Sequence, residues 1–209
     1  MLSAEQRSFL MEATSRYAAS LKGSPAEEYL ASRGLGSVHS PYRLGYVDEP
    51  LPGHGQYRGC LAIPYLRVAP GDRWAVVSIR FRRLVGDGPK YMTVAGDTPR
   101  LYNTRALLQD GDTIAICEGE LDTITAQACG VDAVGVPGAA SWKPHFREPF
   151  LGYEWVYILA DGDEAGRDFA DHVKAQLPNA RVIEMPAGQD VNSLVLAEGR
   201  QALLSRIGG

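Results

Sequence analysis

The pattern of apolar and polar positions changes near the middle of the chain. Before residue 110, short apolar segments are separated by turns, and residues 74–84 alternate between apolar and polar side chains. Alternation with a period of two is typical of a strand that is buried on one face. After residue 110, unbroken apolar runs alternate with helical patterns, which predicts βα units around a central parallel sheet.

The first part of the chain predicts a smaller domain of mixed type. We expect helices over residues 4–21 and 25–33, a connecting loop over 38–52, and strands over 60–66 and 74–84. Ser24 and Pro25 form a typical helix start, and Gly34 a typical stop. Within the second strand, Arg80 and Arg82 share the face opposite the apolar residues. This face is either an ordinary solvated surface or a basic binding surface.

The second part predicts an α/β domain. We expect strands over residues 113–117, 133–136, 155–160 and 181–185, and helices over 121–129, 164–177 and after Asp190. The polar, turn-like residues 107–112 separate the two patterns. We therefore predict a mixed α+β subdomain over residues 1–110 and an α/β domain, with helices flanking its parallel sheet, over residues 111–209.

Carboxylates follow two of the predicted buried strands directly. Glu118 comes after the first apolar run of the α/β domain, and Asp161 and Asp163 come after a later one. Ligands of open α/β sheets bind at the carboxyl ends of the strands. Carboxylates crowded there raise one another's pKa unless a cation lies between them. Because oxygen ligands suit hard ions, the sequence predicts a Mg²⁺ or Mn²⁺ site.

The composition predicts a cytoplasmic protein that does not enter the membrane. Hydrophobic residues make up 45% and charged residues 22% of the chain, as in ordinary globular proteins. No apolar run approaches the ~18 residues of a membrane span, and the N-terminus lacks the apolar core of a signal peptide. The three cysteines are widely spaced without a CxxC pair, which argues against a zinc site and against a disulfide framework.

The charge is unevenly distributed along the chain. Residues 56–105 contain nine Arg and Lys against three Asp, whereas residues 110–168 contain twelve acids against three bases. A basic part beside an acidic one suits a protein that binds polyanions on one surface and cations on another. A chance distribution over solvated surfaces is the alternative.

Several common motifs are absent. The chain contains no GxxxxGK, GxGxxG or HExxH, which excludes P-loop ATPases, standard dinucleotide binders and zincin proteases. The segment that begins at Asp161 starts like an EF-hand loop. However, Ala165 and His172 occupy two positions at which that loop needs oxygen ligands.

The acidic motifs resemble those of the toprim domain, which bacterial-type DNA primases, topoisomerases and some nucleases share. Their form is similar to that in phage primase–helicases. The toprim motifs are Glu118-Gly119-Glu120-Leu121-Asp122, Asp161-Gly162-Asp163-Glu164-Ala165-Gly166-Arg167 and Pro186-Ala187-Gly188-Gln189-Asp190-Val191-Asn192. Upstream, the polymerase subdomain of DnaG-type primases is matched in order by Tyr29-Leu30-Ala31-Ser32-Arg33-Gly34-Leu35, Leu44-Gly45-Tyr46, Arg58-Gly59-Cys60-Leu61-Ala62-Ile63-Pro64 and Pro89-Lys90-Tyr91-Met92.

The resemblance implies roles for individual residues. It implies metal binding and catalysis by Glu118, Asp161 and Asp163, with Asp122 and Asp190 as supporting metal ligands. It implies nucleotide or template binding by Arg33, Arg58, Arg80, Arg82, Lys90 and Arg100. Asp122 and Asp190 also have structural interpretations, as an acid favoured by a helix dipole and as an N-cap. Thr93 and Cys60 depart from the family pattern, which leaves the details of nucleotide binding open.

The function implied is that of a DNA primase catalytic core, a DNA-directed RNA polymerase. It would make short RNA primers on single-stranded DNA from ribonucleoside triphosphates, using two or more Mg²⁺ or Mn²⁺ ions. The sequence shows no zinc-binding segment ahead of the core and no helicase segment behind it. Either the chain is an excised core, or other chains supply these parts, with a zinc-binding module and a replicative helicase as candidate partners. The alternatives are a toprim nuclease and a non-catalytic nucleic-acid-binding module. A topoisomerase would need a catalytic tyrosine in a separate domain, for which the chain leaves little room.

Overall fold

The computed structural model describes residues 2–69 and 73–208. It divides into two compact units, Met1–Thr98 and Pro99–Gly209, here called the N-terminal and C-terminal units. This division lies about a dozen residues before the boundary expected at residue 110. The reason is that Leu101 and Ala106 are buried in the hydrophobic core of the C-terminal unit.

The N-terminal unit combines two helices with an antiparallel sheet, as the sequence predicted. Its elements are α1 (Ala4–Ala19), α2 (Pro25–Ser32), β1 (Gly45–Tyr46), β2 (Leu61–Ala69), β3 (Arg73–Arg82) and β4 (Tyr91–Thr93), with short 3₁₀ helices at Ser40–Tyr42 and Gly55–Tyr57. The strand order is β1-β2-β3-β4. Ser3 and Ser24 accept backbone hydrogen bonds as the N-caps of the two helices, the role that serine side chains favour.

One face of this sheet packs on α1. Ile79 and Phe81 of β3 form a buried cluster with Tyr17 of α1. The predicted alternation changes phase at a register shift between β2 and β3, where Leu66 pairs with Val76. Val76 therefore lies in this core, whereas Val77, which strict alternation with Ile79 and Phe81 would bury, is only partly buried.

The C-terminal unit has a parallel sheet flanked by helices, which confirms the predicted α/β class. Its elements are β5 (Thr113–Cys117), α3 (Glu120–Ala128), β6 (Ala133–Gly135), β7 (Trp155–Ala160), α4 (Glu164–Lys174), β8 (Ala180–Glu184), α5 (Val191–Glu198) and α6 (Arg200–Ile207), with 3₁₀ helices at Thr104–Leu108, Ala139–Ser141 and Pro144–Phe150. The strand order is β6-β5-β7-β8. All three strand pairs are parallel.

Both faces of this sheet are covered, which explains the unbroken apolar runs of its strands. On one face, Ile116 and Ile158 pack with Phe169 of α4. On the other face, Leu159 packs with Leu194 of α5 and with residues of α3 and α6. Within the described residues, no helix has both the length and the apolar character that a membrane span requires.

Candidate active site

Glu118 and Asp161 meet where β5 and β7 end. The two strands are neighbours, and Cys117 at the end of β5 pairs with Leu159. The backbone N–H of Asp161 donates a hydrogen bond to Oε1 of Glu118 at 3.0 Å. Glu118 is 9% exposed, so its carboxylate is oriented by the backbone of the neighbouring strand in a largely buried position.

The loop after β8 is bound to the loop after β7 by backbone hydrogen bonds. The N–H of Gly162 donates to the carbonyl of Gln189 at 2.8 Å, and the N–H of Gly188 donates to the carbonyl of Gly162 at 2.8 Å. A Cβ at position 162 would lie 1.9 Å from the carbonyl oxygen of Pro186. Glycine therefore permits the approach that brings Asp190 to the same end of the sheet as Asp161.

Asp163 and Asp190 are both helix N-caps. Oδ1 of Asp163 accepts from the N–H of Gly166 at 2.8 Å at the start of α4. Oδ1 of Asp190 accepts from the N–H of Ser193 at 2.6 Å at the start of α5. The N-cap interpretation of Asp190 is confirmed.

Asp122 lies in the first turn of α3, as its helix-dipole interpretation required, and also makes a tertiary contact. Its Oδ1 accepts from the backbone N–H of Asn192 at 3.0 Å, across 70 positions of sequence. The sequence indicated no role for Asn192, because a pattern of neighbouring residues carries no signal for a partner so distant along the chain.

Asp161 is the least satisfied acid of the group. Its Oδ1 is buried and has no hydrogen-bond partner among the described residues. Burial first, and then the charges of Asp122, Glu118, Asp190 and Asp163, raise the pKa of Asp161 to about 8. Burial also raises the pKa of Glu118. The five acids therefore act on one another electrostatically, as carboxylates without a counterion do.

The donor set fits a hard divalent cation. Across residues 2–69 and 73–208, no three His, Cys, Asp or Glu side chains converge closely enough to hold a metal ion as they are arranged. Four of the five acids instead direct one oxygen to a backbone amide. An all-carboxylate set with an unsatisfied buried oxygen at Asp161 nevertheless offers the ligands that Mg²⁺ and Mn²⁺ prefer.

In the N-terminal unit, Arg82 is held between two tyrosines. Its guanidinium carbon lies 4.9 Å from the ring centre of Tyr29 and 5.0 Å from that of Tyr91. Arg82 Nη1 also donates to the hydroxyl of Tyr91 at 2.6 Å. Arg80 lies 4.7 Å from the ring of Tyr91, and both arginines are partly buried. These cation–π contacts orient the two guanidinium groups on their face of the sheet.

The other predicted cations of the N-terminal unit are placed differently. Arg58 is exposed, and its Nη1 donates to the carbonyl of Asp48 at 2.7 Å. Lys90 is exposed directly before β4. Arg33 is the partly buried C-cap of α2.

Arg100 belongs to the C-terminal unit, not to the basic strands with which the sequence grouped it. Tyr102 forms an antiparallel bridge to Gly135 of β6. Asn103 Nδ2 donates to the carbonyl of Ala133 at 2.8 Å. Because this segment runs opposite to β6, Arg100 approaches from the carboxyl end of the sheet, the end at which the acids lie.

The C-terminal unit is similar in sequence to a known protein family. Residues 115–195 match the family model described as Toprim-like. The Gene 57 protein of Mycobacterium phage D29 is 62% identical over 151 residues, which cover 72% of this chain and 99% of that protein. The DNA primase of Pseudomonas aeruginosa is 32% identical over 153 residues, which cover 65% of this chain. The chain spans only 23% of that primase's length.

Solved structures extend the similarity to both units. A DNA primase domain from Pseudomonas aeruginosa has a TM-score of 0.79 at 25% identity, covering 97% of this chain and 78% of that domain. A DnaG primase catalytic domain bound to single-stranded DNA has a TM-score of 0.75 at 23% identity, covering 99% and 82%. The chain therefore belongs to the family of toprim-containing, DnaG-type DNA primase catalytic cores.

Proposed function

We propose that this chain synthesises short RNA primers on single-stranded DNA by divalent-metal-dependent nucleotidyl transfer. The observation that carries the proposal is the group of acids around Asp161, with its buried, unsatisfied Oδ1, at the carboxyl end of the sheet. Membership of the primase core family supports the choice of reaction, because toprim acids also occur in nucleases.

Glu118, Asp161 and Asp163 would hold the Mg²⁺ or Mn²⁺ ions, with Asp122 and Asp190 in support. When bound, such ions neutralise triphosphate charge and favour deprotonation of an attacking hydroxyl. Glu118 would also accept the proton of the attacking hydroxyl, because burial raises the pKa of its carboxyl group and makes it a better proton acceptor. The backbone bond from Asp161 keeps that carboxylate oriented.

The cations of the chain would bind phosphates. Arg80 and Arg82 would contact the template backbone, pre-oriented by Tyr91. Lys90, Arg58 and Arg33 would extend this contact, and Arg100 would bind the triphosphate beside the acids. Phosphate contacts carry little sequence information, so binding to DNA would tolerate sequence changes and weaken with salt.

The proposed partners follow from the same chemistry. A primase catalytic domain of this fold has been solved with single-stranded DNA, which supports single-stranded DNA as the template here. Ribonucleoside triphosphates would be the substrates. The chain spans about a quarter of the length of the DNA primases that it matches. A zinc-binding module and a replicative helicase are further proposed partners.

Incubation with single-stranded DNA, labelled ribonucleotides and Mg²⁺ or Mn²⁺ tests the proposal. Extension of a pre-annealed RNA primer is measured alongside, because extension does not require initiation. We expect products from the wild type and none from Asp161→Ala. Asp168→Ala, which removes an exposed acid of α4, is the matched control and should stay active. Metal-dependent DNA cleavage would favour the nuclease, and DNA binding without either reaction would favour the non-catalytic module.

A further inference from the structure

We propose that Asn192 is a positioning residue of the acid site, because it joins the first turn of α5 to α3 and so sets Asp190 relative to Asp122. The inference rests on the proposed role of these acids in divalent-cation binding. Asn192 is buried and is not one of the proposed metal ligands.

The side chain of Asn192 makes a buried polar contact between the two helices. Its Nδ2 donates to Oγ1 of Thr125 at 2.8 Å, across 67 positions of sequence. Asn192 is 1% exposed and Thr125 is 3% exposed. The Thr125 hydroxyl in turn donates to the carbonyl of Leu121 at 2.8 Å, inside α3. The amide of Asn192 is thereby tied to the backbone of α3 near its start.

The backbone of the same turn binds both acids. The N–H of Asn192 donates to Asp122 at 3.0 Å, and the next N–H, that of Ser193, donates to Asp190 at 2.6 Å. Two consecutive amides of α5 thus hold one carboxylate from α3 and one from the loop after β8. The separation of these carboxylates depends on where α5 begins relative to α3, which the contact between Asn192 and Thr125 determines.

Packing alone does not account for this contact. Val191 and Leu194 of α5 already pack in one apolar cluster with Ala126 of α3. A buried amide is costly unless its hydrogen bonds are made, so an apolar pair would join the helices more simply. The directional bond adds a defined register between α3 and α5. A neutral amide does so without adding another charge to the group of five acids.

Titration of the full chain with Mn²⁺, followed by electron paramagnetic resonance, tests the inference without reference to catalysis. Thr125→Val removes the hydroxyl while keeping the side-chain shape, and Asn192→Ala removes the amide. We expect Mn²⁺ affinity to fall about 10- to 100-fold in each, as for other residues that orient metal ligands. Thr125→Ser, which keeps the hydroxyl, should bind close to the wild-type affinity. Thr14→Val makes the same change at a buried site of the N-terminal unit and should leave affinity unchanged.

The outcomes separate this inference from the proposed function. Wild-type Mn²⁺ affinity in folded Thr125→Val would overturn it, as would equal losses in Thr125→Ser and Thr125→Val. A wild-type chain that binds no Mn²⁺ would overturn it as well. If Asn192→Ala does not fold, Thr125→Val decides the question. Weakened Mn²⁺ binding in a protein that makes no primers would uphold the positioning role while contradicting primer synthesis.

Discussion

Glu118 accepts a hydrogen bond from the backbone N–H of Asp161 at 3.0 Å, across 43 positions of sequence. The contact joins the ends of two neighbouring parallel strands, β5 and β7. It gives the Glu118 carboxylate a structural partner in addition to its proposed chemical role. The two contributions are separable, because a neutral amide oxygen accepts the same hydrogen bond.

Glu118→Gln should remove the chemistry and keep the fold. The glutamine oxygen still accepts from Asp161, whereas its loss of charge should lower primer synthesis by about 100-fold or more. Glu118→Ala also leaves the Asp161 N–H without its acceptor, which should cost about 1–3 kcal/mol of unfolding free energy. Primer-synthesis rates and urea unfolding measure the two effects. A fully active Glu118→Gln would contradict the role of this carboxylate.

The stability of the metal-free protein should depend on pH through Asp161. Its pKa is about 8 in the folded chain against a usual value of 3.8, so the folded state binds the proton more tightly. This contribution to stability is fully present below pH 3.8 and is lost as the pH rises through 8. The Tm of the wild type should therefore fall relative to that of Asp161→Asn between these values.

Mn²⁺ provides the control for that pH series. At the high end of the range, added Mn²⁺ should raise the Tm of the wild type, because it binds only the folded state, and should raise that of Asp161→Asn much less. A Tm difference between the two proteins that stays constant with pH would show that Asp161 does not carry a raised pKa.

Gly162→Ala should disrupt the link between the two acid-bearing loops. The added Cβ would lie 1.9 Å from the Pro186 carbonyl oxygen, so the loops must separate. Overpacking of this kind typically costs about 1–3 kcal/mol, and Mn²⁺ binding should weaken as Asp190 moves away. Gly152→Ala is the matched control, since a Cβ there would meet no atom within 4 Å. Equal stability of the two variants would contradict the close approach.

The sequence predicted the C-terminal unit well because its strands are buried on both faces. The apolar runs at Thr113–Cys117 and Trp155–Ala160 coincide with β5 and β7 at both ends. The N-terminal unit was harder to predict from its sequence. The strand β1 spans only Gly45–Tyr46, which is too short to show periodicity, and the register shift opposite Leu66 moved Val77 out of the core.

The candidate site was predictable as a set of acids but not as a set of contacts. The carboxyl-end rule brought Glu118 and Asp161 together, because it depends only on strand direction. The bonds that orient the acids join residues far apart in sequence, such as Asp122 and Asn192, and local pattern contains no signal for them. The sequence likewise identified Tyr29 only as part of a motif. Its contact with Arg82 could not be predicted, because that contact arises from the packing of the N-terminal unit.

Arg82 should contribute to DNA binding through both its charge and its planar shape. Arg82→Ala should reduce the slope of log K against log salt for single-stranded DNA by about 0.7, the value for one lost phosphate contact. Arg82→Lys should keep the slope but weaken binding, because lysine lacks the planar group that contacts Tyr29 and Tyr91. Fluorescence anisotropy at several salt concentrations measures both quantities.

Arg16→Ala is the control for the Arg82 variants. Arg16 is an exposed residue of α1 in the same unit, where it pairs with Glu12, and its loss should leave the slope unchanged. Equal slopes for Arg16→Ala and Arg82→Ala would show that Arg82 does not bind a phosphate.

Mn²⁺ broadening of backbone amide signals tests most directly whether the acids form the cation site. In the ¹⁵N–¹H spectrum of the wild type, small additions of Mn²⁺ should first broaden the amides of Glu118, Asp161 and Asp190 and of the loop residues beside them. Broadening that spreads evenly over both units, or that begins in the N-terminal unit, would contradict the account.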